Sequence, residues 1–130
     1  MKSEAIVELG KPLQTIESET PEPKGKEVLL KITHSGVCHS DVHIHDGYFD
    51  LGGGNKLPVG QMLNLPHTMG HEIEGEVAAI GPDVTDVEIG ANVVAYPWIG
   101  CGECATCKAG DEHYCNAPRQ LGIQLPGGFA

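Results

Sequence analysis

The chain has 130 residues, which suits one domain, and its 18 acidic and 8 basic side chains give a formal net charge of −10. This charge argues against nucleic acid or an anionic membrane as a partner, because both bind basic surfaces. No stretch approaches the roughly 18 apolar residues of a transmembrane helix, and the first residues lack the apolar segment of a signal peptide. With 18 Gly, 9 Pro and only one Trp, three Tyr and two Phe, the composition predicts a turn-rich, mainly β domain.

The first half of the chain predicts short strands separated by turns. Apolar and polar residues alternate at residues 5–9, 13–20 and 27–34, and Gly- or Pro-containing turns lie between these segments. We expect Ser35 and Gly36 to end the third strand. Residues 40–45 predict one helical turn with Ser40 or Asp41 as its N-cap, and the Gly- and Pro-rich residues 47–66 predict a long loop.

The second half predicts two further strands, at residues 71–80 and 90–97. Gly75 is expected at a bulge or at a close backbone approach. Residues 100–105 formally match the G-x-G-x-x-A dinucleotide fingerprint, but that motif requires a preceding strand and a following long helix. Because no complete βαβ unit is visible, we expect no nucleotide-binding sheet within these residues.

Four of the five cysteines form a C-x2-C-x2-C-x7-C cluster: Cys101, Cys104, Cys107 and Cys115. Four thiolates arranged as a tetrahedron are a complete ligand set for zinc, and a closed set of this kind is structural rather than catalytic. Two disulfides are the alternative, but an odd number of cysteines at metal-ligand spacing is typical of a reducing cytoplasm. The spacing therefore predicts a structural zinc site in a cytoplasmic protein.

A second group of candidate ligands lies upstream of this cluster. Cys38 follows a predicted strand and His71 begins a later one. These residue types suit a catalytic zinc, for which the protein supplies three ligands and leaves one position open. Taken alone, a buried cysteine is usually a small apolar residue, and an isolated histidine more often packs or forms hydrogen bonds.

Three motifs in this order resemble the zinc-dependent medium-chain alcohol dehydrogenases, over essentially the whole chain. The motifs are Gly36-Val-Cys38-His-Ser-Asp41, then Gly70-His-Glu72 with Gly75 and Gly81, then the four-cysteine cluster. Other segments look most like bacterial enzymes that act on primary alcohols, including the 6-hydroxyhexanoate dehydrogenases. The resemblance implies a GroES-like irregular β-barrel with short helices over residues 1–130, and a zinc-binding loop lobe at residues 97–118.

The resemblance also implies how the metal would be held. Cys38 and His71 would bind a catalytic zinc, with Glu72 as an alternate ligand or a carboxylate behind the site. Asp41 would accept a hydrogen bond from His71 and orient its ring, as carboxylates commonly do beside metal-binding histidines. The cysteine cluster would hold the structural zinc.

Further residues would serve substrate and cofactor. By the same resemblance, Ser40 would contact the substrate alcohol and pass its proton toward solvent through the cofactor ribose and His43. His39 would contact the pyrophosphate of NAD(P), and Trp98 would line the substrate pocket. The implied reaction is oxidation of a small alcohol to an aldehyde or ketone, with hydride transfer to NAD(P), in a homo-oligomer.

The chain departs from the family pattern in two ways. The family's third protein ligand to the catalytic zinc is a further cysteine, and no sixth cysteine is present. The cofactor-binding Rossmann domain is also absent, so we expect the chain to be the N-terminal part of a longer dehydrogenase and to be inactive alone. The alternatives are a non-catalytic zinc-stabilised binding module, a GroES-like co-chaperone and a zinc-ribbon nucleic-acid binder.

Overall fold

A computed structural model describes all 130 residues, Met1–Ala130. Short strands dominate the chain, and none of its helices is long and apolar enough to cross a membrane. In chain order the strands and α-helices are β1 (Lys2–Ile6), β2 (Gln14–Glu17), β3 (Val28–Gly36), α1 (His39–Asp46), β4 (Tyr48–Gly52), β5 (Asn55–Pro58), β6 (His67–Thr68), β7 (Glu72–Ile80), β8 (Asn92–Ala95), β9 (Trp98–Ile99), α2 (Ala105–Lys108) and β10 (Arg119–Gln120). Two 3-10 helices, Gly60–Met62 and Glu112–Tyr114, complete the list.

The strands form four small antiparallel sheets. Their orders are β2-β1-β6, β3-β7-β8, β4-β5 and β9-β10. The mainly β architecture with short helices is therefore confirmed. The strand pairs are not joined into one closed sheet. The longest strands, β3 and β7, have nine residues each, and all the others have two to five.

Strand β7 shows the alternation that half-buried strands require. Ile73, Gly75 and Val77 are buried, whereas the glutamates between them are exposed. Gly75 lies against the backbone of β3: a Cβ built on it would come within 2.8 Å of the Lys31 carbonyl oxygen. The expected close backbone approach at Gly75 is confirmed, and a register shift lies beside it in β3, between Ile32 and His34.

One small apolar cluster holds together the elements that carry the candidate site residues. Its buried members are Ile6 from β1, Ile44 from α1, Leu63 and Met69. Met69 lies two residues before His71, and Ile44 lies on the helix that carries Ser40, Asp41 and His43. Burial of these side chains therefore fixes both segments relative to each other.

The loop expected at residues 47–66 and the end expected for the third strand are both wrong. Residues 47–66 are not a continuous loop, because Tyr48–Gly52 and Asn55–Pro58 pair as a β-hairpin. Its turn uses Gly52, Gly53 and Gly54, all with positive φ, and this glycine run concealed the strands on either side. Strand β3 also continues through Ser35 and Gly36, because both residues pair with the first residues of β7.

The helical turn expected at residues 40–45 is present as α1, but its N-cap is Cys38. Neither Ser40 nor Asp41 fills that position. Asp41 is instead the third helical residue, and its side chain accepts a hydrogen bond from the Cys38 backbone N–H. The glycine after the helix, Gly47, adopts the left-handed conformation typical of a helix C-terminus.

Candidate metal centres

The four clustered cysteines converge at one point, in a segment that we call the cysteine lobe (residues 97–118). Their sulfur atoms all lie within 4.8 Å of one another. Strands β9 and β10 pair at the base of the lobe, and Cys104 is the N-cap of α2, where its sulfur accepts a hydrogen bond from the Cys107 N–H. None of the four forms a disulfide.

The spacing of these sulfurs fits a tetrahedral zinc ion. A Zn–S distance near 2.3 Å places the sulfurs of a tetrahedron roughly 3.8 Å apart. The Sγ atoms of Cys101 and Cys107 are 3.9 Å apart, and those of Cys104 and Cys115 are 4.0 Å apart. These distances are almost twice the roughly 2.05 Å of a disulfide bond, so the arrangement suits a shared metal better than two disulfides.

Backbone N–H groups point at the sulfurs and change their acidity. The N–H groups of Glu103 and then of Cys104 lower the pKa of Cys101 from 9.0 to about 6. The Cys107 N–H likewise lowers the pKa of Cys104. At Cys107 the Gly102 N–H lowers the pKa, but burial and the neighbouring cysteines outweigh it and raise the pKa to about 12. Full deprotonation of so crowded a group requires a cation, because adjacent thiolates repel one another.

A second convergence joins Cys38, His71 and Glu72, which we call the mixed-donor site. One sulfur, one ring nitrogen and one carboxylate oxygen lie within 4.8 Å of one another. Cys38 immediately precedes α1, His71 immediately precedes β7, and Glu72 is the first residue of β7. Cys38 and His71 are partly buried, whereas Glu72 is exposed. Three donors with one side toward solvent match the arrangement of a catalytic zinc site, which leaves one position open.

Asp41 connects the two segments of this site. It is only 2% exposed, and its two oxygens accept hydrogen bonds from the backbone N–H groups of Cys38 (2.9 Å) and Gly70 (3.3 Å). Its Oδ1 also lies 3.4 Å from Nδ1 of His71. That separation is long for a hydrogen bond, but the Nδ1 atom is buried and has no other partner. A proton on Nδ1 would face this carboxylate, which leaves Nε2 as the metal-binding nitrogen.

Helix α1 carries the remaining polar side chains near the site. The Ser40 hydroxyl lies 3.2 Å from Nε2 of His71, so it borders the position that a metal ligand would occupy. The ring centroids of His39 and His43 are 4.7 Å apart, and those of His43 and Phe49 of the hairpin are 4.9 Å apart, with tilted planes in both pairs. The hairpin that the sequence did not predict therefore contacts the His43 ring.

A shallow groove extends from the mixed-donor site along the edge strand β8. His71 and Glu72 line one side, and Val94, Tyr96 and Pro97 line the other. Val94 of β8 is 78% exposed and Tyr96, just after that strand, is 64% exposed, although both are large apolar or aromatic side chains. Trp98 continues this alternation, but it lies on β9, is 44% exposed and does not line the groove.

The end of the described chain packs on the backbone just before His71. The N–H groups of Gly127, Gly128 and Phe129 donate to the carbonyls of Thr68, Gly70 and Met69. The approach is so close that a Cβ on Gly127 would overlap the Gly70 carbonyl oxygen. This contact holds the backbone that leads into His71, and because the two segments are more than fifty residues apart in sequence, local sequence patterns do not reveal it.

Comparison with known proteins places the chain among dehydrogenases. Residues 24–130 match the family described as the alcohol dehydrogenase GroES-like domain. The NAD-dependent alcohol dehydrogenase of Saccharolobus solfataricus is 44% identical over 131 residues, which cover 100% of this chain and 37% of that protein. The chain therefore spans little more than a third of the relatives it matches.

Solved structures agree with this result. The alcohol dehydrogenase of Aeropyrum pernix is similar with a TM-score of 0.83 and 30% identity, over 100% of this chain and 36% of that one. A cobalt- and zinc-bound alcohol dehydrogenase of Pyrobaculum aerophilum gives a TM-score of 0.79 and 31% identity, over 98% and 36%. At these identities the similarity extends beyond the fold to the sequence.

Proposed function

This chain belongs to the family of alcohol dehydrogenase GroES-like domains, and on that premise we propose that it is the metal-binding catalytic part of a zinc-dependent alcohol dehydrogenase. The reaction is oxidation of a small alcohol to an aldehyde or ketone, with hydride transfer to NAD(P). The observation that carries the proposal is the convergence of Cys38, His71 and Glu72 on one point. A GroES-like module without catalysis would have no use for this second set of donors.

The residues of the mixed-donor site would hold the catalytic metal. Cys38 and His71 supply a thiolate and an imidazole, and the Glu72 carboxylate is the third donor within reach. When bound, zinc acts as a Lewis acid that makes the substrate hydroxyl more acidic near neutral pH. Asp41 fixes the orientation of His71 and the positions of the backbone on both sides, so the donors remain preorganised.

The polar residues of α1 would handle the proton that the alcohol loses. The Ser40 hydroxyl lies beside His71, where it can accept a hydrogen bond from the substrate. Ser40 and His43 are three residues apart in one helix, so their side chains are neighbours on its surface. The ring of His43 contacts Phe49, and it can deliver the proton to solvent.

The cofactor would be bound jointly with a further domain. The chain covers 37% of its NAD-dependent relative, and its sheets contain only antiparallel pairs, so the nicotinamide-binding sheet lies outside these residues. We assign His39 to the cofactor pyrophosphate and the groove residues Val94 and Tyr96 to the substrate side of the cleft. Trp98, which lies beyond the groove on β9, would line the outer part of the same pocket. A cytoplasmic homo-oligomer completes the proposal.

Metal analysis and turnover together test this function. A polypeptide that carries this chain with a nicotinamide-binding domain should contain two zinc ions per chain and reduce NAD(P) in the presence of an alcohol. Cys38→Ser should abolish turnover and release one zinc, because serine is a poor ligand for this metal. Retention of full activity and both zinc ions in that variant would contradict the proposal. One zinc ion and no turnover in the wild type would favour the non-catalytic binding module.

A further inference from the structure

Gly36 lies directly opposite Glu72 at the point where β3 and β7 begin to pair. Residues opposite each other in an antiparallel pair point to the same face, with Cβ atoms about 4.5–5.5 Å apart. Any side chain at position 36 would therefore compete for space with that of Glu72. Position 36 also lies two residues before Cys38, so both ends of this pair adjoin the mixed-donor site.

The Glu72 side chain occupies the space that a side chain at position 36 would need. A Cβ built on Gly36 would overlap the Oε2 atom of Glu72 and would lie 3.0 Å from its Cβ and 3.3 Å from its Cδ. The carboxylate thus folds across the backbone of Gly36 toward Cys38 and His71. The backbone itself does not require glycine here, because Gly36 is not among the residues with positive φ.

We infer that Gly36 is a positioning residue for Glu72: the missing side chain keeps open the space through which the carboxylate reaches the two other donors. This inference deepens the proposed function and rests on it. A methyl group at position 36 displaces the carboxylate from the donor set, so the metal loses an oxygen ligand. The cost falls mainly on metal binding, because the closest atom, Oε2, is the flexible end of an exposed side chain, whereas the 3.0 Å approach to the Glu72 Cβ requires only a small shift of the two strands.

Gly75 provides a matched control on the same pair of strands. A Cβ at Gly75 would meet backbone atoms, namely the Lys31 carbonyl oxygen at 2.8 Å and the Ile32 Cα at 3.3 Å. Backbone cannot move aside as a flexible side chain can. Gly75→Ala should therefore lower the melting temperature more than Gly36→Ala, whose closest contact is with a side-chain end that can move.

The experiment is a titration of this chain with Co²⁺ after the cysteine lobe has been filled with zinc. Absorption bands of the cobalt–thiolate bond report binding at Cys38, and Cys38→Ser should remove them. Gly36→Ala should weaken Co²⁺ binding about 10-fold, at the low end of the 10–100-fold effects seen for groups that orient metal ligands. The visible bands of the bound Co²⁺ should also shift, because the ligand set changes. A purely structural role of Gly36 would not cause that shift.

A double-mutant cycle with Glu72→Ala tests whether Gly36→Ala weakens Co²⁺ binding through the Glu72 side chain. In the Glu72→Ala background, Gly36→Ala should cause no further loss of affinity and no further change in the bands. Equal or tighter Co²⁺ binding in Gly36→Ala than in wild type would overturn the inference and leave the proposed function intact. An undiminished effect in the Glu72→Ala background would overturn it as well. Absence of the cobalt–thiolate bands in wild type would overturn both the inference and the proposed function.

Discussion

The cysteine lobe takes all four donors from residues 101–115, whereas the mixed-donor site joins Cys38 to residues more than thirty positions further along the chain. Donors close in sequence meet through local turns and a four-residue helix. Donors far apart need β3–β7 pairing, the apolar cluster and Asp41 to hold them. The lobe should therefore depend on its metal for its structure, while the mixed-donor site is preformed by the fold and remains open on one side.

Loss of a lobe ligand should have the largest effect on stability. Cys104→Ser removes one of four donors, and structural zinc contributes on the order of 10 kcal/mol in small zinc peptides. We expect a clear fall in melting temperature and new protease cleavage within residues 101–115. Cys38→Ser is the control and should leave the lobe intact. A Cys104→Ser variant that melts like the wild type would show that the lobe does not depend on its metal for stability.

Chelation should separate the two sites next. Four thiolates enclose a metal completely, whereas the mixed-donor site has three donors, one of them exposed. Mild treatment with a chelator should therefore remove metal from the mixed-donor site first and leave one zinc per chain. Metal analysis over time measures this order. Equal retention of two zinc ions would show that the sites do not differ in how tightly they hold metal. Loss of the lobe zinc first in Cys104→Ser would show that the difference depends on the four-thiolate set.

Asp41→Asn tests how far the mixed-donor site is preformed. The amide nitrogen of asparagine would replace one of the two carboxylate oxygens and would face a donor in either orientation. On one side the donor is the Cys38 N–H, and on the other side the donors are the Gly70 N–H and the protonated Nδ1 of His71. We expect metal binding at this site to weaken by about 10–100-fold. The zinc content of the lobe should not change. Equal affinity in Asp41→Asn and wild type, measured by metal titration, would remove Asp41 from the positioning of the donors.

The smallest effect should come from His43→Gln in a polypeptide that also carries the nicotinamide-binding domain. A positioned acid–base group raises the rate roughly 10²–10⁴-fold. Because water can replace a proton relay that adjoins solvent, we expect turnover to fall by about 100-fold or less. Turnover and zinc content measured together test this. Loss of zinc from the variant would show that His43 supports the metal site and not the proton path.

The parts of the molecule that sequence could predict are those set by nearby residues. The cysteine spacing predicted the convergence of four sulfurs, and the alternation at residues 71–80 predicted β7 to within one residue. The β4–β5 hairpin was missed because Gly52–Gly54 read as a flexible loop. The role of Gly36 could not be seen, because the reason for that glycine is the side chain opposite it on another strand. The functional assignments of Ser40, His39 and Trp98 remain predictions.

The contact between residues 127–129 and the Met69–Gly70 backbone affects the order in which the two sites can form during synthesis. A ribosome releases residues from the N-terminus onward, so every donor of the cysteine lobe is available before Gly127 emerges. Cys38 and His71 are synthesised much earlier, yet the backbone before His71 gains the hydrogen bonds from Gly127, Gly128 and Phe129 only afterwards. On a nascent chain the lobe can therefore close around its metal first, and the donors encoded earliest become ordered last.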